Sequence, residues 1–511
     1  MTTSDNYLTR RRFIRGIGTA GVTGLAGCST LESSQQNKPT DETAASLSPL
    51  TRNEHRGYWF GRYNMNAMLL MTGLGERLTP SNQQRERLAT LADFELSEMP
   101  ANPYLLKAVY ASGDPHFQQE ADFNDFSTLN WDRSAMDETL TPEAQAFTIK
   151  KIVGRNLRTR YHQYGKDRFI ALVQLQEAMA LAKTLRTRLT TTNGLVATRT
   201  PDGELAEPTP EQQAAALMAY SGLALSLTDP DRPLFQTLPN AEQFAKRVSR
   251  WAEELFTAAQ QVEPTTVREL ALTLEAYGWF AAATDDDERQ SRALSGIRPL
   301  AERLRSRHEG AEASLTTTAW AVYGLGEASQ VTGSDAFAGR ARRLFFEELE
   351  RYWQADAGVY VEDPDDDRHV YTPRKATAVV AAINTMRFVA PPGVGAVGPP
   401  DLAAGRYAAF VRNVLVRSGM QQAHAIPLAV NQAYLDADPR DYFTAESIPL
   451  SANGDGEFGL CPVYAAEIVF EGGDWAVTDR RFVTADAMHL ADVSPSLGPG
   501  TPDGTIPIDR L

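Results

Sequence analysis

The densest run of groups able to do acid–base chemistry lies between residues 353 and 373. Asp356, Glu362, Asp363, Asp365, Asp366 and Asp367 follow one another along a short polar segment flanked by Trp353, Tyr360 and Tyr371. Two carboxylates on opposite faces of a sugar ring, about 6.5–9.5 Å apart, supply the acid and the base of inverting glycoside hydrolysis. Aromatic faces beside them would stack on the sugar. Asp363, Glu362 and Asp356 are therefore candidate catalytic residues, with Trp353, Tyr360 and Tyr371 as substrate-binding partners. Glu312, in an earlier acidic loop with Glu309, joins the catalytic candidates. The run Asp363 to Asp367 also gathers hard oxygens that suit calcium, without the spacing and closing Glu of an EF-hand loop. Acids beside helix starts are favoured electrostatically with no ligand at all, so a solvated acidic rim is the competing reading.

Other reactive types are scattered. The seven histidines, at 55, 116, 162, 308, 369, 424 and 489, include no pair at i, i+3 or i, i+4. Only His369 falls on a loop expected near the acids. Met488, His489, His424 and Cys461 could converge as a soft metal site, but nothing in their spacing requires it. Cys461, in Gly459-Leu460-Cys461-Pro462, reads as an inert thiol in a turn. Lys150, Lys151, Arg155, Arg158, Arg160, Lys166 and Arg168 share nineteen residues with a single acid, Asp167. That local reversal of sign could hold an anionic polymer or a lipid headgroup, or be a solvated helix face.

The N-terminus carries an address. Thr9-Arg10-Arg11-Arg12-Phe13-Ile14-Arg15 resembles the twin-arginine export motif, and a weakly apolar run from Gly16 to Gly27 follows it. Leu25-Ala26-Gly27-Cys28 resembles a lipobox, which implies cleavage before Cys28 and diacylglycerol on its thiol. Residues 1–27 then form a signal peptide, and 28–55 a lipidated Cys with a flexible Ser/Thr/Gln/Pro tether. The expected localisation is the cell envelope, on its periplasmic or outer face, with the membrane as a partner through lipid on Cys28.

The positioning elements come next. The 511 residues carry 65 acidic and 50 basic side chains, a net charge of −15, which argues against general nucleic-acid binding. No apolar stretch is long enough to span a membrane. From about residue 140 the helices alternate in kind. The stretch 240–261 places Phe244, Val248, Trp251 and Leu255 on one stripe of a charged cylinder, whereas 265–282 is apolar nearly all round. The pairs 288–307 with 314–329 and 335–353 with 373–389 repeat this. Upstream, 168–190 with 209–228 do the same. Alternating wet and dry helices predict two concentric rings.

An internal repeat agrees. Asn193-Gly194-Leu195-Val196 leads to Thr209-Pro210, and Ala357-Gly358-Val359-Tyr360 leads to Thr372-Pro373. Thr at the cap with Pro at the first helical position marks a helix start. Thr79-Pro80 and Thr141-Pro142 repeat the mark.

The pattern resembles the α/α-toroid superfamily of six-hairpin glycosidases and N-acylglucosamine 2-epimerase-like proteins, over roughly residues 141–418. The expected fold class is all-α, an α/α toroid with short β-hairpin loops, spanning 141–436. Residues 56–140 are expected to be helices and loops packed on the barrel, with Trp59, Phe60 and Tyr63 plugging it. Residues 437–511 read as an irregular C-terminal segment, with a strand from Tyr464 to Phe470.

In such a toroid every inner helix starts at one end, and a site belongs at that mouth. The resemblance implies carbohydrate processing by paired carboxylates. The alternative is a non-catalytic envelope lipoprotein that binds a glycan or a partner protein in the same concavity. No cofactor other than the calcium considered above is implied. Epimerases of this shape use histidines in the funnel, so the placement of His369 alone speaks against that branch.

Overall fold

The computed structural model describes residues 72–96, 105–116, 118–119, 130–156, 165–229, 233–311, 313–389, 402–420 and 464–494. The signal and tether through Cys28, the aromatic cluster at 59–63, Glu312, the 391–400 loop, His424 and Cys461 lie outside them. Among the described residues twelve helices have nine residues or more. They are α1 (Asn82–Ala92), α2 (Pro142–Lys151), α3 (Gly165–Arg188), α4 (Pro210–Thr228), α5 (Ala241–Ala259), α6 (Val267–Ala283), α7 (Asp287–Gly310), α8 (Leu315–Thr332), α9 (Asp335–Arg343), α10 (Pro373–Asn384), α11 (Leu402–Phe410) and α12 (Thr484–Val493). No helix of the described residues is long and apolar enough to cross a membrane.

The even-numbered helices form a closed inner ring. Each packs against the next in the order α2, α4, α6, α8, α10, α12, and α12 packs back on α2. Outside them α3 covers α2, α5 covers α4, α7 lies across α6 and α8, α9 lies on α8, and α11 on α10. The chain is an all-α toroid of two concentric helix layers. Composition explains the division of labour. In α5 only one stripe is buried, with Phe244, Val248 and Leu255 covered and Trp251 half-covered. In α4 every residue from Gln212 to Ala224 is buried, and α6 is buried on most sides. Small residues permit the tight ring. A Cβ on Gly324 of α8 would come within 3.0 Å of the Ala271 backbone of α6.

Helix starts follow the sequence signals with one change. Thr141, Thr209 and Thr372 cap α2, α4 and α10, each hydroxyl accepting the N–H three residues on. Thr266 and Ser314 do the same for α6 and α8. Each cap is worth about 1 kcal/mol. Thr79-Pro80 does not cap a helix: α1 starts after Ser81, whose side chain takes the N–H of Gln84.

Short strands dress the rings. β1 (Gly75–Leu78) pairs antiparallel with β2 (Leu105–Val109), from Gly75 opposite Val109 to Leu78 opposite Leu105. β3 (Ser112–Gly113) lies between β4 (Met136–Asp137) and β10 (Phe482–Val483). β5 (Trp353–Gln354) pairs with β6 (Val359–Tyr360) across a turn in which Gly358 takes φ +66°. β7 (Arg368–Tyr371) joins β8 (Glu467–Glu471), with Tyr371 opposite Ile468, and β8 joins β9 (Asp474–Asp479).

The C-terminal portion thus differs from an irregular appendage. It adds two strands to β7 and ends in the sixth inner helix. That helix is latched at its carboxyl end, where Lys151 donates to the carbonyl of Ala491 at 2.6 Å and Asn384 to that of Val493 at 2.8 Å. Tyr407 donates to the carbonyl of Ser494, just beyond the helix. These bonds satisfy carbonyls that the end of a helix leaves free.

Candidate functional site at the mouth of the inner ring

In four of the six inner helices the second residue is charged and lies at the mouth where the helices begin. After the capping Thr and the Pro, α2 offers Glu143, α4 offers Glu211 and α10 offers Arg374; after Thr266-Val267, α6 offers Arg268. Asp486, in the first turn of α12, completes the group. A carboxylate there is favoured by the helix dipole, whereas an arginine is disfavoured by about 0.3–1 kcal/mol. The two arginines are held instead by Glu211, whose Oε2 accepts from Arg268 Nη1 and, at 2.7 Å, from Arg374 Nη2.

The carboxyls differ in their proton affinity. Burial first, and then the charge of Glu211, push Glu143 up to about 7, and its Oε2 has no hydrogen-bond partner. Burial raises Asp486 to about 6, with Arg374 opposing and Glu211 reinforcing the shift. Burial also raises Glu211, against the pull of Arg374. Two acids of unequal pKa near neutrality, flanked by guanidinium donors, form an arrangement able to give and take protons.

One turn deeper the lining becomes aromatic. His489 of α12 stacks on Phe147 of α2, centroids 4.1 Å apart and planes 12° from parallel, and lies 5.8 Å from the ring of Trp320 in α8. The guanidinium of Arg268 sits 5.4 Å over that indole. His489 Nε2 and Trp320 Nε1 are buried without hydrogen-bond partners. Burial, with Lys150 and Arg374 nearby, holds His489 well below the ordinary imidazole range, so the ring is neutral at pH 7.

Deeper still, Lys150 Nζ lies 2.7 Å from Glu275 Oε1 and 3.2 Å from Asp492 Oδ2, all three side chains nearly out of solvent. Burial works against the ammonium, but the two carboxylates more than offset it and keep it charged. Glu327 below is pushed to about 8 by burial and by Glu275.

The residues singled out from sequence are arranged differently. Glu362 is a structural anchor: it accepts the N–H of Leu315 at the start of α8 at 3.1 Å and pairs with Lys375 at 3.4 Å. Asp363 and Asp366 accept the N–H groups of Asp365 and Arg368 within their own exposed turn, and Asp356 is exposed on another. Tyr360 and Tyr371 are at most 1 % exposed, so neither can stack on a sugar. Tyr360 donates to Glu350, and Tyr371 to the carbonyl of Tyr360. Trp353 is half-buried, with the guanidinium of Arg406 4.0 Å over its ring and that arginine clamped by Glu350.

His369 is buried in β7, stacked on Phe470. Lys150 and Lys151 point inward and do not belong to a basic surface. Among the described residues no three His, Cys, Asp or Glu are grouped to hold a metal ion. The mouth residues do have a sequence signal: they follow the Thr-Pro or Thr-Val that starts each helix. A rule reading the second residue after the cap would have found Glu143, Glu211, Arg268 and Arg374.

No family model matches the chain, and no curated protein does. Among solved structures it is similar to a D-mannose isomerase, at 10% identity over 81% of this chain and 97% of that one, with a TM-score of 0.44. It is also similar to a sugar epimerase from a ruminal bacterium, at 10% identity over 76% and 93%, TM-score 0.43. A third is the catalytic domain of Clostridium thermocellum CelT, at 10% identity over 88% and 96%, TM-score 0.37.

Proposed function

We propose that this toroid processes carbohydrate at the mouth of its inner ring, with Glu143 and Asp486 as the proton-transferring pair. The observation that carries the reading is the convergence of three carboxyls and two guanidiniums from five sequence-distant helices, two of the acids titrating near neutrality. At pH 7 Glu143 is about half protonated and Asp486 mostly ionised, which suits an acid and a base respectively. Arg268 and Arg374 supply donors for sugar hydroxyls or for developing negative charge.

His489 favours a second form of the same chemistry. A neutral imidazole one turn below Asp486, with a free Nε2, is suited to moving a proton next to a sugar carbonyl, which is isomerisation or epimerisation. The two forms separate in one experiment. The chain is incubated in D2O with a panel of oligosaccharides and free aldoses and followed by proton NMR. New reducing ends that disappear with Glu143→Gln support hydrolysis. Deuterium entering carbon 2 of an aldose, lost with His489→Asn, supports isomerisation. Neither signal from a folded protein sinks the enzyme reading and leaves a glycan- or protein-binding toroid.

The same proposal includes export and anchoring through Cys28, supported by the run Thr9-Arg10-Arg11-Arg12-Phe13-Ile14-Arg15 and the Leu25-Ala26-Gly27-Cys28 sequence. After cleavage the chain carries 46 basic and 64 acidic side chains. Mass spectrometry of the mature N-terminus tests it: a diacylated Cys28 is expected, and an intact Met1 in membrane-free protein would refute it.

A further inference from the structure

A second concavity lies outside the ring. It has a volume of about 570 Å³ and opens where α4 and α6 begin, between outer helices α5 and α7. Pro210, beside Glu211, is on its edge, so the hollow adjoins the mouth. One face of α7 lines it at helical spacing: Arg292, Gly296, Pro299 and Arg303. Both Gly and Pro weaken a helix interior, and Pro299 leaves the carbonyl of Ser295 without its helical donor. Gly296 has a packing role, because a Cβ there would meet the ring of Tyr277 at 3.0 Å. Pro299 is exposed on the same face. Together they line the hollow beside Tyr277, with an arginine at either end. The arginines are about 16 Å apart along the helix, at 1.5 Å per residue, which is longer than a single sugar ring.

The polar groups are matched in charge. Arg292 pairs with Glu288 at 2.8 Å and Arg303 with Glu263 at 2.8 Å. Gln260 donates to the Tyr277 hydroxyl at 2.7 Å. Each guanidinium keeps N–H donors beyond its carboxylate, while the hollow as a whole is close to neutral. A half-buried aromatic ring, apolar surface and uncharged donor–acceptor balance fit a neutral, many-hydroxyl chain better than a polyanion.

We propose that this hollow is a binding subsite for a neutral oligosaccharide, which seats a chain running past the mouth. The choice of ligand rests on the carbohydrate reading of the mouth, and the subsite makes an oligomer, not a free monosaccharide, the substrate class.

The test is calorimetric titration of the whole chain with cellohexaose, xylohexaose and mannohexaose, with hexagalacturonic acid as the charged control. Proteins compared are the wild type, Tyr277→Ala, Arg292→Ala and the mouth variant Glu143→Gln/Asp486→Asn. A neutral hexamer is expected to bind the wild type, with little dependence on salt. The mouth variant should retain that affinity within about threefold, and each groove variant should lose about tenfold or more. Arg292 is an exposed side chain, so its variant carries the test if Tyr277→Ala does not fold.

Binding of no neutral hexamer overturns the subsite, as does salt-sensitive binding of the acidic hexamer alone or affinity unchanged in both groove variants. If the groove variants weaken binding but the protein turns nothing over, the subsite stands and the catalytic reading of the mouth falls.

Discussion

Glu211 and Arg374 meet at 2.7 Å across the mouth of the inner ring, although 163 residues separate them in the chain. The same Glu211 oxygen holds Arg268, so one carboxylate ties together the first turns of α4, α6 and α10. Each arginine sits at the wrong end of a helix for its charge. The shared carboxylate is what makes that placement tolerable.

Replacing Glu211 with Gln should therefore destabilise the fold. A fully buried pair that loses one member costs about 3–5 kcal/mol. Arg268 is only 11 % exposed but Arg374 is 49 % exposed, so about 2–3 kcal/mol is expected here. Urea unfolding measures it, and an unchanged midpoint would mean that water serves both arginines equally well.

The raised carboxyls of Glu143 and Asp486 have a sign that can be worked out. Their folded pKa values, about 7 and about 6, lie above the usual carboxylate range, so the folded state binds more protons between pH 4 and pH 7. Their contribution is complete below pH 4 and is lost as pH rises through 6 to 7. Glu143→Gln should flatten this part of the stability curve by about 2–3 kcal/mol, and should be more stable than wild type at pH 8. Thermal melts at half-unit pH steps would expose the opposite slope.

Lys150 joins α2 to α6 and α12 at the bottom of the ring. Lys150→Met leaves Glu275 and Asp492 buried without their cation, at a cost of about 3–5 kcal/mol. Because α12 is the last inner helix in the chain and the Lys150–Asp492 pair ties it to α2, its amides should lose hydrogen-exchange protection before those of α4 or α6. Uniform loss across the ring would show that α12 has no separate opening.

Tyr360 offers a control on the hairpin that the sequence put forward. Tyr360→Phe removes the bond to Glu350 and should cost about 1–2 kcal/mol. Any turnover the protein shows should be unaffected, since the hydroxyl is buried and donates to Glu350. A large drop in kcat at normal stability would return the 353–373 hairpin to the site.

Pro299→Ala restores a helical N–H in the middle of α7. Pro299 is exposed, so the melting temperature should rise, by the equivalent of about 1–3 kcal/mol. A fall would mean that the ring of Pro299 is itself packing α7 in place.

Much of the architecture was legible because it rests on local chemistry. The stripe Phe244, Val248, Leu255 against the all-round apolar α6 is a matter of which faces can meet water. The caps Thr141, Thr209 and Thr372 satisfy donors within four residues of themselves. No such signal announces α12: its cap position is Val483, with no side-chain bond, and its ten residues carry no stripe. Strand β10, paired to β3 from the far end of the chain, sets its start.

The site was hidden for a related reason. Acids crowd the 356–367 turns because exposed turns solvate charge cheaply, and crowding in sequence is what a reader sees. Glu143, Glu211, Arg268, Arg374 and Asp486 are single charges, each unremarked in its own helix. By itself the sequence determined the rhythm of outer and inner helices and where most of them begin. Only closure of the ring decided which charges would face one another, because their proximity and shared desolvation arise from helices whose contacts no local pattern encodes.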